Sequence, residues 1–215
     1  MALTATNRRT GPLLALVGLL GGVVLLLSLH LLPPTNQISP VRRTISEYAL
    51  STNKWLFDAS ILLIAAASAA GFFLLWRRRA HLPTAVFGAI WTLSLLAVVV
   101  FTKNNWAIGP STGGMVHRYA SVAAFLSLPL AVMLAAGWLF PRQRAWRWAA
   151  RGFGALSLLW FGTIVVGAVN MLAGGPPWWR FVPLGLVERA IAGFAVAGLV
   201  VVLLGLHRAG SRRVD

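Results

Sequence analysis

Six apolar stretches of about 20 residues each, at 13–32, 55–76, 84–102, 118–140, 152–173 and 186–207, constrain this chain more than anything else in it. A helix of that length crosses the ~30 Å hydrocarbon layer of a bilayer, and it satisfies its own backbone polar groups where water cannot. The runs fill most of the 215 residues and leave no stretch for a separate soluble domain. With 58% hydrophobic residues and a mean hydropathy of +0.78, the sequence reads as an all-α, polytopic six-helix bundle, a single membrane domain over 1–215. The first run follows Arg8 and Arg9 as the apolar part of a signal peptide would, yet it exceeds the ~7–15 residues of such a leader. It runs into His30-Leu31-Leu32-Pro33-Pro34 without a small-x-small cleavage pattern, so a retained helix is expected.

Nineteen basic residues against four acids give a net charge of +15, which in a soluble chain would point to nucleic acid. Their distribution argues against that partner. Twelve lie at the N-terminus, in the second and fourth connections and at the C-terminus, densest in Arg77-Arg78-Arg79 and around Arg142, Arg144, Arg147 and Arg151; seven lie on the other side. By the positive-inside rule both termini are expected in the cytoplasm, with the basic clusters attracted to anionic lipid head groups. Trp55, Trp106, Trp178 and Trp179 mark one membrane interface, and Trp76, Trp138, Trp146 and Trp148 the other. Small pairs such as Gly18 with Gly22, Ala66 with Ala70 and Gly193 with Ala197 suit close helix packing. No cysteine is present, so a disulfide framework and a thiolate metal site are both excluded. The Ala-, Leu-, Val- and Arg-rich composition is associated with bacterial inner membranes, and a multi-pass protein of that plasma membrane, in contact with its lipids, is expected.

The acids are placed unevenly. Asp58 falls about one turn into the second run, His117-Arg118 open the fourth, and Glu188-Arg189 open the sixth, while Glu47 and Ser46 sit in the long connection before the second. All belong to the external side, as does His30. The partial positive charge of a helix start favours carboxylates there, and ionisable groups within membrane segments usually face a wet cavity or the bundle interior. An outward-opening polar pocket walled by Ser46, Glu47, Asp58, His117, Arg118, Glu188 and Arg189 is therefore expected, with Arg180 and Trp178 at its rim. Several chemistries suit it. One is a hydrolase or transferase acting on a lipid or lipid-linked substrate, with His117 as general base, Asp58 or Glu188 orienting it and Ser46 as nucleophile. A second is a metal site of His30, His117, Asp58 and Glu188, although the spacings carry no metal-ligand signature and no cofactor is expected. A third is a binding protein whose arginines hold a phosphate or carboxylate. A salt-bridge network of Asp58, Glu47 and Glu188 with Arg42, Arg43, Arg118, Arg180 and Arg189 is an equally simple reading. A proton-coupled transporter would want ionisable groups nearer the bilayer midplane.

Four segments carry a resemblance: "TISEYAL" (44–50), "WLFDASILL" (55–63), "VHRYASVAAF" (116–125) and "GLVERAIAG" (185–193). Together they resemble the bacterial membrane-protein family called domain of unknown function 998. The resemblance implies six helices, an Ile-Ser-Glu segment in the first external loop, a histidine on helix 4 and an acid–arginine pair on helix 6. Two positions depart from that pattern: Asp58 stands where relatives commonly carry asparagine, and Phe101-Thr102-Lys103-Asn104 replaces a Phe-Pro-x-Asp turn. The loop segment is also similar to a six-helix family of eukaryotic proteins that remodel glycolipid anchors, which favours lipid-linked substrates.

Overall fold

The computed structural model of the chain describes residues 5–211. Asp215, Arg212 and Arg213 lie outside the described residues, as do the side chains of Arg8 and Arg9. Six long helices form: α1 (Ala5–Ser28), α2 (Lys54–Arg77), α3 (Leu82–Val100), α4 (Thr112–Leu139), α5 (Arg144–Leu172) and, after the single-turn α6 (Trp178–Phe181), α7 (Leu184–Ser211). All six are long and apolar enough to cross a membrane, and no strand forms among the described residues.

Two boundaries differ from the sequence expectation. α1 stops at Ser28 rather than 32, because Pro33 and Pro34 bring no N–H; the Ser28 hydroxyl turns back onto Leu25 O (2.7 Å). α4 begins at Thr112, six residues early, because Ser111 caps it by accepting from the Gly114 N–H (3.0 Å). His117 and Arg118 therefore lie in its second turn. α2 ends in a Schellman arrangement: Arg79 donates its N–H to Trp76 O (2.8 Å) and Ala80 to Leu75 O (3.1 Å). Arg79 takes the left-handed conformation (φ 65°) that glycine usually fills.

The packing order defines a ring. α1 touches α2 and α7, α2 touches α3, α3 touches α4, and α4 touches α7, while α5 stands outside against α4 and α7. The connections 78–81 and 140–143 share the end where the described chain begins and finishes; the longer loops gather at the opposite, distal end. Close approach of α1 to α2 depends on Gly18 and Gly22: a Cβ at Gly22 would meet Ile64 Cγ1 at 2.6 Å and Ser60 O at 3.0 Å. The other small pairs behave differently. Ala66 and Ala70 are exposed, and a Cβ at Gly193 would meet nothing within 4 Å.

At the proximal end arginines serve helix ends and rings. Arg78 donates to Leu206 O (3.0 Å), and Arg208 lies 4.4 Å from the Trp146 ring centroid. Cations near the last carbonyls of a helix stabilise it.

Gly22→Leu should prise α1 from α2 and lower stability in detergent by about 2 kcal/mol or more. Gly162→Leu, where a Cβ meets nothing within 4 Å, is expected to melt within about 0.5 kcal/mol of the parent. Thermal unfolding of the two variants side by side checks this.

Candidate functional site

The distal end is organised by the start of α7. Arg189, in its second turn, donates from Nε to His30 Nε2 (3.2 Å), from one terminal nitrogen to Arg43 O (2.8 Å), Pro40 O (2.9 Å) and Gly185 O (3.1 Å), and from the other to the Tyr48 hydroxyl (2.9 Å). The neighbouring Glu188 carboxyl accepts the backbone N–H of Ile45. Leu186 donates its N–H to Val41 O (3.0 Å). These bonds draw the long first loop back over the bundle, where it forms a 3-10 turn over Ile45–Leu50 and buries Tyr48 completely. Gly185 is required there: a Cβ would stand 2.3 Å from Arg43 O and 2.6 Å from Pro40 O. On the other flank Lys103 donates to Glu47 Oε1 (2.8 Å) and to Thr44 Oγ1 (3.0 Å), with Arg43 at 3.8 Å from the same carboxylate oxygen.

Beneath the loop lies a cavity of about 430 Å³ lined by the five helices of the ring; α5 contributes nothing to it. That volume falls within the ~300–1,000 Å³ usual for small-molecule sites. Its distal end carries His30, Ser46, Tyr48, His117, Ser121, Glu188 and Arg189. Below them the walls are apolar, from Phe57, Ile61 and Ile64 on α2 to Leu95 on α3 and Val196 and Val200 on α7. Trp91, halfway along α3, is the deepest polar group, and its indole N–H is buried without a partner.

His117 is the group whose chemistry is most defined. It is 3% exposed, and its Nδ1 is 2.7 Å from Phe101 O. A carbonyl only accepts, so Nδ1 carries the proton and Nε2 of the neutral ring is left as an acceptor. Nε2 is buried and has no partner. A buried acceptor in that state costs free energy unless something donates to it. Phe101 O is available because α3 ends at Val100 and its last carbonyls lack helical partners.

Other residues expected in the pocket are placed elsewhere. Asp58, fifth residue of α2, accepts from Lys54 one turn earlier (2.5 Å) and does not line the cavity. Glu47 bonds Lys103 beside it. Arg118 is exposed and lies 5.7 Å from the Trp106 ring centroid. Arg180 is exposed, and Trp178 packs on the small cluster of Val182, Val187 and Ile191. Ser46, by contrast, does line the cavity, but its Oγ donates to Thr44 Oγ1 (3.3 Å) and makes no hydrogen bond to His117. His30, His117, Asp58 and Glu188 do not converge, and among the described residues no three His, Asp or Glu side chains form a metal-binding group. Of the expected arginine network the Arg43–Glu47 pair is present; the rest is an assembly of lysines, backbone groups and Arg189. Tyr48 and Lys103 were not legible as members of it; the only sequence signal was their place in a loop longer than a turn needs.

Residues 16–205 match the family described as DUF998, protein of unknown function. The chain belongs to that family. No curated protein and no solved structure matches it. The four segments that carry the DUF998 resemblance all reach the same place: Ile45, Ser46 and Tyr48 from the first, Phe57 and Ile61 from the second, His117, Ser121 and Phe125 from the third, Glu188, Arg189 and Gly193 from the fourth.

Arg189 and Tyr48 should behave as one unit. Arg189→Lys and Tyr48→Phe, alone and together, are expected to show a coupling of about 0.5–3 kcal/mol in a double-mutant cycle. The Arg189 variant should also open residues 33–53 to limited proteolysis; unchanged cleavage would mean that other bonds hold the loop.

Proposed function

We propose that this DUF998 chain binds a lipid or lipid-linked substrate in the cavity of its helix ring, polar group at the distal end and hydrocarbon among the apolar walls. The observation that carries the reading is the two-part lining: a cluster of polar side chains closes one end, and aliphatic side chains continue from it toward mid-membrane. An amphiphile matches both parts, whereas a polar solute would leave the lower walls unsatisfied by water or ligand. His117 is the contact group we favour, since its Nε2 lacks a donor. The same posture, with Nδ1 fixed by a carbonyl, is that of a general base, so processing of the bound lipid is a compatible extension of binding. Glu188 and Ser46 stand beside it on the lining. Asp58, Glu47, Arg118 and Arg180 serve structure or the interface in this reading, and Arg189 serves the loop.

The chain is best read as one membrane domain of a bacterial inner membrane, with its termini in the cytoplasm and the loop-covered end outside. The support is the charge bias: Arg77, Arg78, Arg79, Arg142, Arg144 and Arg147 all cluster near the proximal end.

Native mass spectrometry of the gently solubilised protein should find a retained lipid that His117→Ala loses while its melting temperature holds. Identical ligand-free spectra from both proteins would sink lipid binding. For orientation, a cysteine at exposed Ala107 should be labelled in intact cells, and one at exposed Arg142 only after permeabilisation. The opposite pattern would invert the topology.

A further inference from the structure

The nature of the ligand's head group follows from which polar atoms at the cavity's closed end are already spoken for. Arg189, the one arginine or lysine on the lining among the described residues, has its Nε and both terminal nitrogens engaged by His30, the loop carbonyls and Tyr48. Its fork is not available to grip a phosphate or carboxylate bidentately. Lys103 is bound to Glu47 and Thr44 and does not line the cavity. The buried atom left without a partner at this end is an acceptor, His117 Nε2; Glu188, Tyr48 and Ser46 already hold bonds to Ile45, Arg189 and Thr44 and keep only a second oxygen, a hydroxyl proton and lone pairs to offer. An anion brought there would be desolvated beside a carboxyl group with no free lysine or arginine among the described lining residues to meet it, which is costly. A hydroxyl both donates and accepts, so it satisfies His117 Nε2 and pairs with the other hydroxyls. An ammonium would be placed next to Arg189, a like charge.

The walls say how such a molecule arrives. Every cavity-lining residue from α2 and α3 is buried, whereas Leu20 (44% exposed) and Leu27 (56% exposed) on α1 and Gly193 on α7 are exposed. The cavity is thus open along the α1–α7 seam, on the bundle's outer surface, and covered by the first loop at its distal end. The open side of a membrane bundle meets hydrocarbon, so the occupant comes from the bilayer.

We propose that the cavity takes a single-chain lipid with an uncharged hydroxyl head, of the monoacylglycerol or long-chain alcohol class, and discriminates against the same chain bearing a phosphate. The proposal rests on the lipid-binding reading and narrows it. Its test uses two probes that share one oleoyl chain, 1-monooleoylglycerol and 1-oleoylglycerol 3-phosphate, titrated into the delipidated protein and read by native mass spectrometry. The expected result is binding of the monoacylglycerol at least about tenfold tighter, with the preference falling toward unity in His117→Ala. Gly193→Phe, whose new ring extends into open space at the seam, should abolish binding of both probes; if that variant melts early, Gly193→Leu serves, and full binding by a well-folded variant would overturn the placement in this cavity. Equal or tighter binding of the phosphate would overturn the head-group assignment and leave lipid binding standing. Failure of both probes, with no endogenous lipid retained by the wild type, would remove both readings.

Discussion

The guanidinium of Arg189 is the point on which the distal half of the molecule depends. It joins the end of α1 through His30, the first loop through Pro40, Arg43 and Tyr48, and its own helix through Gly185. An arginine in a membrane helix is expensive unless paired; here backbone carbonyls, rather than an acid, do most of the pairing. Carbonyls can do so because the loop carries no regular ladder to occupy them. The cation thereby orders a segment that packs on the core through Ile38, Ile45, Tyr48 and Ala49. Glu188 acts in the complementary sense by accepting the Ile45 N–H. Adjacent residues of one helix thus hold the donor and acceptor sides of the same loop.

That arrangement bears directly on His117. A loop folded over the ring keeps water from a histidine whose ring orientation is already fixed by Phe101 O. Fewer competing waters make each remaining hydrogen bond electrostatically stronger, and an unmet acceptor correspondingly more costly. The sealed walls of α2 and α3 extend the same condition downward. The cavity's selectivity would then come from few groups in a dry place, not from many contacts.

Much of the fold was legible because membrane spans announce themselves by length and hydropathy, which depend on composition more than on tertiary contact. Helix boundaries were less legible. Gly113 and Gly114 read as loop, and only the Ser111 cap explains why α4 begins before them. The first turns of α2, α4 and α7 do bring Asp58, His117 and Glu188 to the distal end. Sequence cannot fix rotation about a helix axis, however, and rotation decides that His117 and Glu188 face the cavity while Asp58 turns to Lys54. Arg118, one residue beyond His117, is carried about 100° round the helix and emerges at the surface. The fastening of the first loop was invisible because its bonds run between backbone carbonyls and one side chain 146 and 149 residues away.

The exclusion of α5 from the ring has a consequence for how this architecture tolerates change. Five helices suffice to line the cavity, so α5 is an outrigger: it steadies α4 and α7 from outside without touching what they surround. Its outer face is exposed, and substitutions along Leu159, Val165, Val166 and Val169 act on fit to lipid thickness rather than on the cavity. Its inner face differs, since Ser157 donates to Ile191 O (2.9 Å), two residues beyond Arg189 on α7. Because α4 and α7 both line the cavity, the way α5 seats in the bilayer bears on the shape of a space it never touches.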